Sequence, residues 1–594
     1  MVAFVLSAVI GGGIAIGVGC SGLGSSEQEA GESQGPSRVS AVGSESQATA
    51  TQTAAASGAA IANTANVDKP SQAASAAPVE APYTGPYLGA MAFQTPIYPE
   101  PRFGDERLGY IRQGGKVPVD ATPIKKSNCK QGWYKLVDGG YVCGKYSTLD
   151  LDNDRVKLGV RQPDLAAITP YQYAYNRFHG TPMYRSLPTR DEMRKVEPHL
   201  LEKEKKKQEE EKAKAEAAAQ AAKPEGSADS EKSAKHTPEE DKSKSAKHPP
   251  EEGSDGNVPS SDTADAKAAV DAVSQLDTGT LEPGEAPPPE PPKPWWQTDE
   301  KKPTVSLSDL EKDAEGNLSK RMVKGFYVAV DKTLAWNDRT FYRTTSGLLT
   351  PTDRMWMNKA PETKGVDWPE GAKQVFFALG EKAQRFELAK DQKSMKVKAK
   401  LARFTAVGLT GKTMELSETL YREALDGSWV KGAQGTLTAP NPRPKDVGEN
   451  EKWVDVNLDK KTLVLFHGDK PVFAALIAPG KRSKDKKKNH ATPTGSWRVR
   501  EKHVAVTMDG DGASGDLPYS IEDVPYVAYF KGSYALHAAF WHNNFGREMS
   551  HGCVNLAPAD AKVVWNFIDP IVPRGWHAAF ATKDRPGSMI VIHE

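Results

Sequence analysis

Apolar and polar residues alternate in short segments along three parts of the chain, and glycine, proline or Asn-Asp turns separate these segments. Alternation with a period of two is typical of β-strands that bury one face. It predicts strands in residues 94–149, 300–445 and 450–594, so we expect a mainly β protein. The stretch 557–569 differs, because a proline near its start and apolar residues at helical spacing predict a short helix.

Two long tracts lack this alternation. Residues 21–90 consist mostly of Ser, Ala, Thr, Gln and Gly, whereas residues 200–295 are rich in Lys, Glu and Ala and then in Pro. Neither composition buries enough apolar surface to offset the entropy of ordering, so we expect a disordered tether and a disordered linker. Residues 202–222 predict at most one solvated helix, and a partner-binding arm is the alternative to a spacer. Residues 150–199 give no clear signal and stay unassigned.

Charge narrows the function classes. The 594 residues include 78 Lys and Arg and 77 Asp and Glu, which give a formal net charge of +1. This near-zero net charge gives the protein no overall attraction to a polyanion, so we expect no nucleic-acid partner.

The first residues predict export. Residues 2–18 form an uncharged apolar run, and Gly19, Cys20 and Ser21 follow before a polar tract. Residues 1–20 resemble a lipoprotein signal peptide, whose processing leaves a lipidated cysteine, here Cys20, at the mature N-terminus. A plain secretory signal and an uncleaved anchor are the alternatives, and all three predict a periplasmic or envelope location where disulfides form. Ser21 favours the outer membrane.

The segment 94–149 carries aromatic residues next to glycine turns, with GWYK at 132–135 and GGYVC at 139–143. This pattern resembles a bacterial SH3-like module. Cys129 and Cys143 flank the aromatic strand and its turn, so a hairpin brings the two thiols into disulfide range. Two free buried thiols are the alternative.

Residues 300–445 show a weaker resemblance to this module, with LYR at 420–422 and GSWV at 427–430. We expect an all-β region there, for which an SH3-like fold is one interpretation. No catalytic constellation is evident in it.

The C-terminal part holds the candidate chemistry. Cys553 lies between two histidine-containing segments, LHAAFWH at 536–542 and SHGCVNL at 550–556. A thiol is only slightly ionised at neutral pH, so a nucleophilic cysteine needs a nearby imidazole to accept its proton. The candidates are His537 and His551, and on an extended segment His551 shares a face with Cys553.

Residues around Cys553 predict support for it. Gly552 leaves the backbone free to aim successive amides at one point, which is a way to build an oxyanion hole. Asn555 either anchors the loop through its side chain or is a plain turn residue. We expect His542 and His577 to be structural or pocket-lining, since nothing in their spacing fixes a role.

Two alternatives apply to the histidines. One is that His537 is a core histidine without a catalytic role. The other is a zinc site, although the chain has no HExxH or paired CxxC element, so we expect no metal. The ligands of such a zinc site would be His537, His542, His551 and Cys553.

These residues resemble the L,D-transpeptidase catalytic domain of the YkuD type. The motif of that family is a histidine, a spacer, and then Ser or Thr-His-Gly-Cys-x-Asn or Arg. Here His537 is followed by the spacer 538–549 and by SHGCVN at 550–555. A WVDV strand and the TPTG turn at 492–495 extend the resemblance over 450–594.

The resemblance implies a mostly β catalytic domain with Cys553 as nucleophile and His537 as general base. It also implies that the main chain of the SHGC segment, from Ser550 to Cys553, forms the oxyanion hole, while the main-chain carbonyl of Ala538 orients the base. No cofactor is implied.

The implied activity is acyl transfer in peptidoglycan. Cys553 attacks the diaminopimelate carbonyl of a tetrapeptide stem, releases the terminal D-Ala, holds the rest of the stem as a thioester and passes it to an amine. A diaminopimelate acceptor gives a 3-3 crosslink, a lysine acceptor anchors an envelope protein, and water gives L,D-carboxypeptidation. The implied partners are stem peptides and, through the N-terminal lipid, a membrane.

Two other function classes stay open. One is a cell-wall-binding tether with an idle catalytic fold, against which the intact His537, His551 and Cys553 argue. The other is a cysteine endopeptidase, which is disfavoured because SHGC lacks the helix-borne cysteine of papain-like sites.

Overall fold

The computed structural model describes residues 83–221, 295, 304–312, 314–511 and 517–594. It divides into two compact units, of which the smaller is His199–Lys293 and the larger comprises Met1–Pro198 and Pro294–Glu594. The predicted signal peptide with Cys20, most of the predicted tether and residues 222–294 of the predicted linker lie outside the described residues. The predicted mainly β architecture is confirmed.

Short strands form the first part of the larger unit. They are β1 (Tyr87–Ala90), β2 (Gln94–Ile97), β3 (Gly109–Arg112), β4 (Lys116–Pro118), β5 (Ile124–Lys126), β6 (Cys129–Lys135), β7 (Tyr141–Cys143) and β8 (Ser147–Thr148). β1 pairs with β4 and β8, β2 with β3, and β6 with β5 and β7, all antiparallel. Leu88, Ile111 and Val142 are buried together with Trp576 of the C-terminal domain, so this module packs directly on that domain.

The predicted disulfide between Cys129 and Cys143 is present, with the two Cα atoms 6.1 Å apart. Cys129 begins β6 and Cys143 ends β7, and the register of this hairpin places Trp133 opposite Cys143. The alternative of two free thiols is therefore wrong.

The unassigned residues 150–199 contain regular structure. They form α1 (Asp154–Lys157), β9 (Gln172–Asn176), β10 (Thr181–Tyr184) and α2 (Arg190–Val196). α2 begins with a capping box, in which the Thr189 hydroxyl accepts from the Glu192 N–H and the Glu192 carboxylate accepts from the Thr189 N–H. This Thr-x-x-Glu signature is local and was readable in the sequence.

The described part of the smaller unit is the helix α3 (His199–Ala221). Two lysine–glutamate pairs, four residues apart, lie on it: Lys207–Glu211 and Lys212–Glu216. α3 agrees with the solvated helix predicted for 202–222. The start of the linker, which was expected to be disordered, is therefore helical, because Ala, Lys and Glu are strong helix formers.

No helix among the described residues is both long and apolar enough to span a membrane.

Residues 300–445 contribute further strands. They are β11 (Leu318–Met322), β12 (Tyr327–Trp336), β13 (Arg339–Thr344), β14 (Leu349–Pro351), β15 (Met355–Met357), β16 (Val366–Asp367), β17 (Gln374–Ala378), β18 (Gln384–Leu388), β19 (Met395–Lys400), β20 (Ala406–Leu416), β21 (Thr419–Ala424), β22 (Trp429–Lys431) and β23 (Gly435–Thr438). β9 lies between β12 and β15, and β10 pairs with β11. β17–β23 form a separate sheet, so the single expected region divides between two sheets.

The C-terminal domain is built from β24 (Lys452–Asn457), β25 (Thr462–His467), β26 (Lys470–Ala478), β27 (Gly495–Arg498), β28 (Glu501–Gly510), β29 (Tyr519–Lys531), β30 (Tyr534–Ala538), β31 (Val554–Leu556), α4 (Pro558–Phe567), β32 (Ala578–Phe580) and β33 (Met589–His593). β24, β25 and β26 form a meander, and β33 joins β24 in parallel. Short 3-10 helices lie at Leu307–Glu311, Thr352–Arg354, Gly432–Gln434 and Lys486–Lys488.

The helix predicted at 557–569 is confirmed as α4, which has Pro558 in its first turn. Val564 and the following Ile568 are buried in the main core, and Val563 and Phe567 pack against that core. α4 contacts β29 and β30, so it supports the strand that carries His537.

Candidate active site

The pairing of β30 with β31 brings the two histidine-containing segments together. His537 lies in β30, and Cys553 immediately precedes β31. The two strands are parallel neighbours, with Leu536 opposite Val554. The pairing of these parallel strands therefore brings the backbone of Cys553 close to that of His537.

His537 has the hydrogen bond that a general base needs. Its ring is buried, and Nδ1 lies 3.1 Å from the main-chain oxygen of Ala538. Because a carbonyl only accepts, Nδ1 carries the proton and Nε2 has the lone pair. Burial lowers the pKa of His537 to about 4, so the imidazole is neutral at pH 7 and able to take a proton.

The loop before Cys553 is held by the Ser550 side chain and by backbone hydrogen bonds to the segment 479–481. Ser550 Oγ accepts from the Gly552 N–H at 3.1 Å and donates to the Cys553 carbonyl. The Ser550 N–H donates to the Pro479 carbonyl at 3.1 Å, and the Ser550 carbonyl accepts from the Lys481 N–H at 3.0 Å. The Gly552 N–H is therefore already used in a hydrogen bond within the loop.

Only a glycine fits the backbone conformation at position 552. Its φ is +125°, which side chains disfavour, and a Cβ there would lie 2.6 Å from Cε1 of Tyr534. Gly552 therefore shapes the turn that presents Cys553.

His551 and Cys553 line one cavity, although the segment between them is not a strand. The Tyr519 ring stacks on His551 with centroids 5.1 Å apart, and the His490 ring contacts His551 at 4.6 Å. The Cys553 side chain is buried, and its Sγ donates to the Ser533 carbonyl at 3.6 Å.

Asn555 anchors β31 to His542. Nδ1 of His542 accepts from the Asn544 N–H at 3.3 Å, so Nε2 carries the proton and must donate. The Asn555 amide group lies 3.1 Å from that Nε2, and its other atom is buried without a partner. Because Nε2 donates, the amide atom at 3.1 Å is the oxygen, which makes Asn555 the acceptor. Burial lowers the pKa of His542 to about 4, so this imidazole is also neutral.

The cavity has a volume of about 230 Å³ and draws its wall from two parts of the chain. The C-terminal domain supplies the following residues: Met508, Tyr519, Ile521, His537, Trp541, Met549, Ser550, His551, Cys553 and Asn555. Gly325 and Tyr327 complete the wall from the region in which the sequence showed no catalytic constellation. They reach the site because Tyr327 of β12 pairs with Ile521 of β29.

Other candidate residues lie elsewhere. His577 Nε2 donates to the Ala505 carbonyl at 3.1 Å, and its position is structural. Among the described residues, no group of three or more His, Cys, Asp or Glu is arranged to hold a metal ion. Cys129 and Cys143 belong to the first module, away from this cavity.

Thr492, in the TPTG turn, holds the cysteine loop from outside. Its buried Oγ1 accepts from the Gly480 N–H at 2.8 Å and donates to the Gly552 carbonyl at 2.8 Å. The sequence identified the turn, but these two bonds span 12 and 60 residues and have no local signal.

We expect Thr492→Val to lower the free energy of unfolding by about 1–3 kcal/mol, because it leaves two buried backbone groups without partners. It should also slow acylation of Cys553, since the loop loses its anchor. Urea unfolding and single-turnover acylation measure the two effects. Thr494→Val changes an exposed threonine of the same turn and is the matched control. Equal effects of both variants would contradict this role of Thr492.

Comparison with known proteins gives one family match, which lies in the C-terminal domain. Residues 451–592 match the family model of the YkuD L,D-transpeptidase catalytic domain. An L,D-transpeptidase from Stackebrandtia nassauensis is 21% identical, with 25% of this chain and 58% of that chain covered and a TM-score of 0.18. L,D-transpeptidase 3 from Mycobacterium tuberculosis is 16% identical, with 32% and 79% covered and a TM-score of 0.19.

The catalytic domain of the Enterococcus faecium L,D-transpeptidase is 20% identical, with 24% of this chain and 98% of that chain covered and a TM-score of 0.18. The matched part thus spans little more than half of the Stackebrandtia protein and nearly all of the Enterococcus domain. No curated protein matches the chain. The family that the SHGC segment predicted is present as one domain, and residues 451–592 are an L,D-transpeptidase catalytic domain of the YkuD family.

Proposed function

We propose that the protein is a peptidoglycan L,D-transpeptidase of the cell envelope. Cys553 Sγ attacks the carbonyl carbon of diaminopimelate in a tetrapeptide stem. The C–N bond to the terminal D-Ala breaks, and the stem stays on Sγ as a thioester. The thiol proton passes to Nε2 of His537 and leaves on the amine of D-Ala. A second amine then attacks the thioester, gives a proton to His537 and regenerates the thiol of Cys553.

One observation supports this assignment most. The Ala538 carbonyl holds the Nδ1 proton of a buried, neutral His537, and this histidine lines the same cavity as Cys553. An imidazole with its Nε2 lone pair beside a thiol is the arrangement that nucleophilic catalysis by cysteine needs.

Product analysis tests the proposal. The full chain is incubated with a disaccharide-tetrapeptide, and released D-Ala and new muropeptides are separated and weighed by mass spectrometry. A 3-3 dimer identifies diaminopimelate as acceptor, a tripeptide identifies water, and a lysine conjugate in the presence of an envelope protein identifies protein anchoring. If no D-Ala is released from the stem, the proposal fails.

We also propose that the chain is exported, that Cys20 carries a lipid, and that the anchored enzyme acts in the wall from the outer membrane. In this proposal the SH3-like module expected at 94–149 binds the wall, while the lipid holds the chain at the membrane. Metabolic labelling with a fatty-acid analogue compares the wild type with Cys20→Ala. Equal labelling of both would overturn the anchor, whereas an unlabelled but active Cys20→Ala chain would show that the lipid sets location alone.

A further inference from the structure

Three aromatic residues form a row across neighbouring strands outside the C-terminal domain. Trp356 of β15 is paired with Tyr175 of β9, and Tyr175 is paired with Tyr327 of β12. Directly paired residues of antiparallel strands point to the same face of a sheet. The rings of Tyr175 and Tyr327 are 5.2 Å apart, which agrees with that placement. We call Trp356, Tyr175 and Tyr327 the aromatic stripe.

One end of the aromatic stripe is the active-site cavity. Tyr327 lines the cavity that contains Cys553, and it pairs with Ile521, another lining residue. The stripe therefore leads from the candidate nucleophile outward across the sheet.

The other end of the stripe is open to solvent. The Trp356 side chain is 58% exposed, although tryptophan is among the residues that bury the most apolar area. The guanidinium carbon of Arg177 lies 3.9 Å from the centroid of the Trp356 ring. Phe178 is exposed beside them, with Arg177 and Arg354 over its ring at 5.1 and 4.6 Å. Cations and exposed rings thus share one patch at the end of the stripe.

The length of the stripe fits the substrate of the proposed function. Neighbouring strands are about 4.8 Å apart, so two steps from Trp356 to Tyr327 cover about 10 Å. The attacked carbonyl belongs to the third residue of the stem, and three extended residues span about 10 Å. A stem whose diaminopimelate carbonyl reaches the cavity therefore places its sugar near Trp356.

We propose that Trp356 and Arg177 form a subsite for the sugar ring of the glycan strand that carries the donor stem, with the stem lying across Tyr175 and Tyr327 between this subsite and the cavity. The proposal rests on the proposed function and extends it from the stem peptide to the glycan. A pyranose ring has an apolar C–H face that packs on an indole ring, and its hydroxyl and acetamido oxygens accept from a guanidinium. Arg177 and Arg354 also complement the carboxylates of an anionic stem.

Binding to an inactive full chain tests the subsite. In a Cys553→Ala background, calorimetry compares the disaccharide-tetrapeptide with the free tetrapeptide. We expect the disaccharide to improve affinity by about tenfold, a gain of the size that one well-packed ring supplies. Adding Trp356→Ala should remove that gain and leave the Kd of the free tetrapeptide unchanged, while Trp356→Phe should keep part of it.

A second exposed tryptophan provides the control. Trp336, at the far end of β12, is 43% exposed, and Trp336→Ala should leave both affinities unchanged. If Trp356→Ala weakens both ligands equally, weakens neither, or if neither ligand binds the Cys553→Ala chain, the subsite is overturned. A chain that loses disaccharide affinity on Trp356→Ala but releases no D-Ala when Cys553 is intact keeps the subsite and overturns the proposed function.

Discussion

Replacing Cys553 with alanine or with serine is expected to abolish both D-Ala release and transfer to an amine. Alanine removes the nucleophile, and a serine hydroxyl gives up its proton to a histidine far less readily than a thiol does. Losing the nucleophile of such a pair lowers turnover by on the order of 10⁴-fold or more. Single-turnover kinetics with a disaccharide-tetrapeptide measure the loss in the full chain.

Intact-mass spectrometry adds a readout that does not depend on turnover. The wild-type chain should gain the mass of the disaccharide-tripeptide, and the resemblance to L,D-transpeptidases predicts a carbapenem adduct on Cys553 as well. Both adducts should be missing from Cys553→Ala, and the thermal midpoint should show that this variant is folded. Appreciable turnover by either variant would exclude the thioester mechanism, as would an adduct that maps to another residue.

The family of the C-terminal domain was predictable because its signal is local. His537 and the SHGC segment lie within one short stretch of sequence, and the TPTG turn at 492–495 is contiguous. The helix α4 was predictable for the same reason, since Pro558 and the helical spacing of its apolar residues lie in one segment. The disulfide follows from a hairpin whose two strands are adjacent in the chain.

The rest of the site depends on contacts between distant segments. Tyr327 enters the cavity wall through a pairing with Ile521, almost two hundred residues away, and alternation in either strand says nothing about that partner. β9 and β10 were missed because their partners are β11, β12, β14 and β15, which follow only after the linker. Side-chain anchors such as Thr492 on the Gly552 carbonyl also require the fold before they are visible.

The sequence also gives no signal for the ion pair that joins the first module to the C-terminal domain. Arg112 of β3 and Asp523 of β29 are 411 residues apart in the chain, and Arg112 Nη1 lies 3.0 and 2.9 Å from the two carboxylate oxygens. The guanidinium also donates to Tyr171 Oη at 3.2 Å and to the Thr345 carbonyl at 3.0 Å. Four separate segments therefore meet at one charged pair.

We expect Arg112→Met to lower the free energy of unfolding by about 3–5 kcal/mol, because it leaves a buried carboxylate without its cation. The side chains of Arg112 and Asp523 are only 8% and 7% exposed, so water does not replace the lost partner. Urea unfolding of the full chain, followed by fluorescence, measures the change. The effect should appear in acylation as well, since loss of this pair loosens the strand β29 that lines the cavity.

An exposed pair in the same module is the matched control. Arg102 and Glu100 are 70% and 62% exposed at a separation of 2.8 Å, and Arg102→Met should cost about 0–1 kcal/mol because solvent screens such pairs. Adding Asp523→Asn to Arg112→Met should restore part of the lost stability, since it removes the uncompensated charge. Equal costs for the two arginine variants, or a double variant less stable than Arg112→Met alone, would show that the buried charge of Asp523 is not what holds the module to the domain.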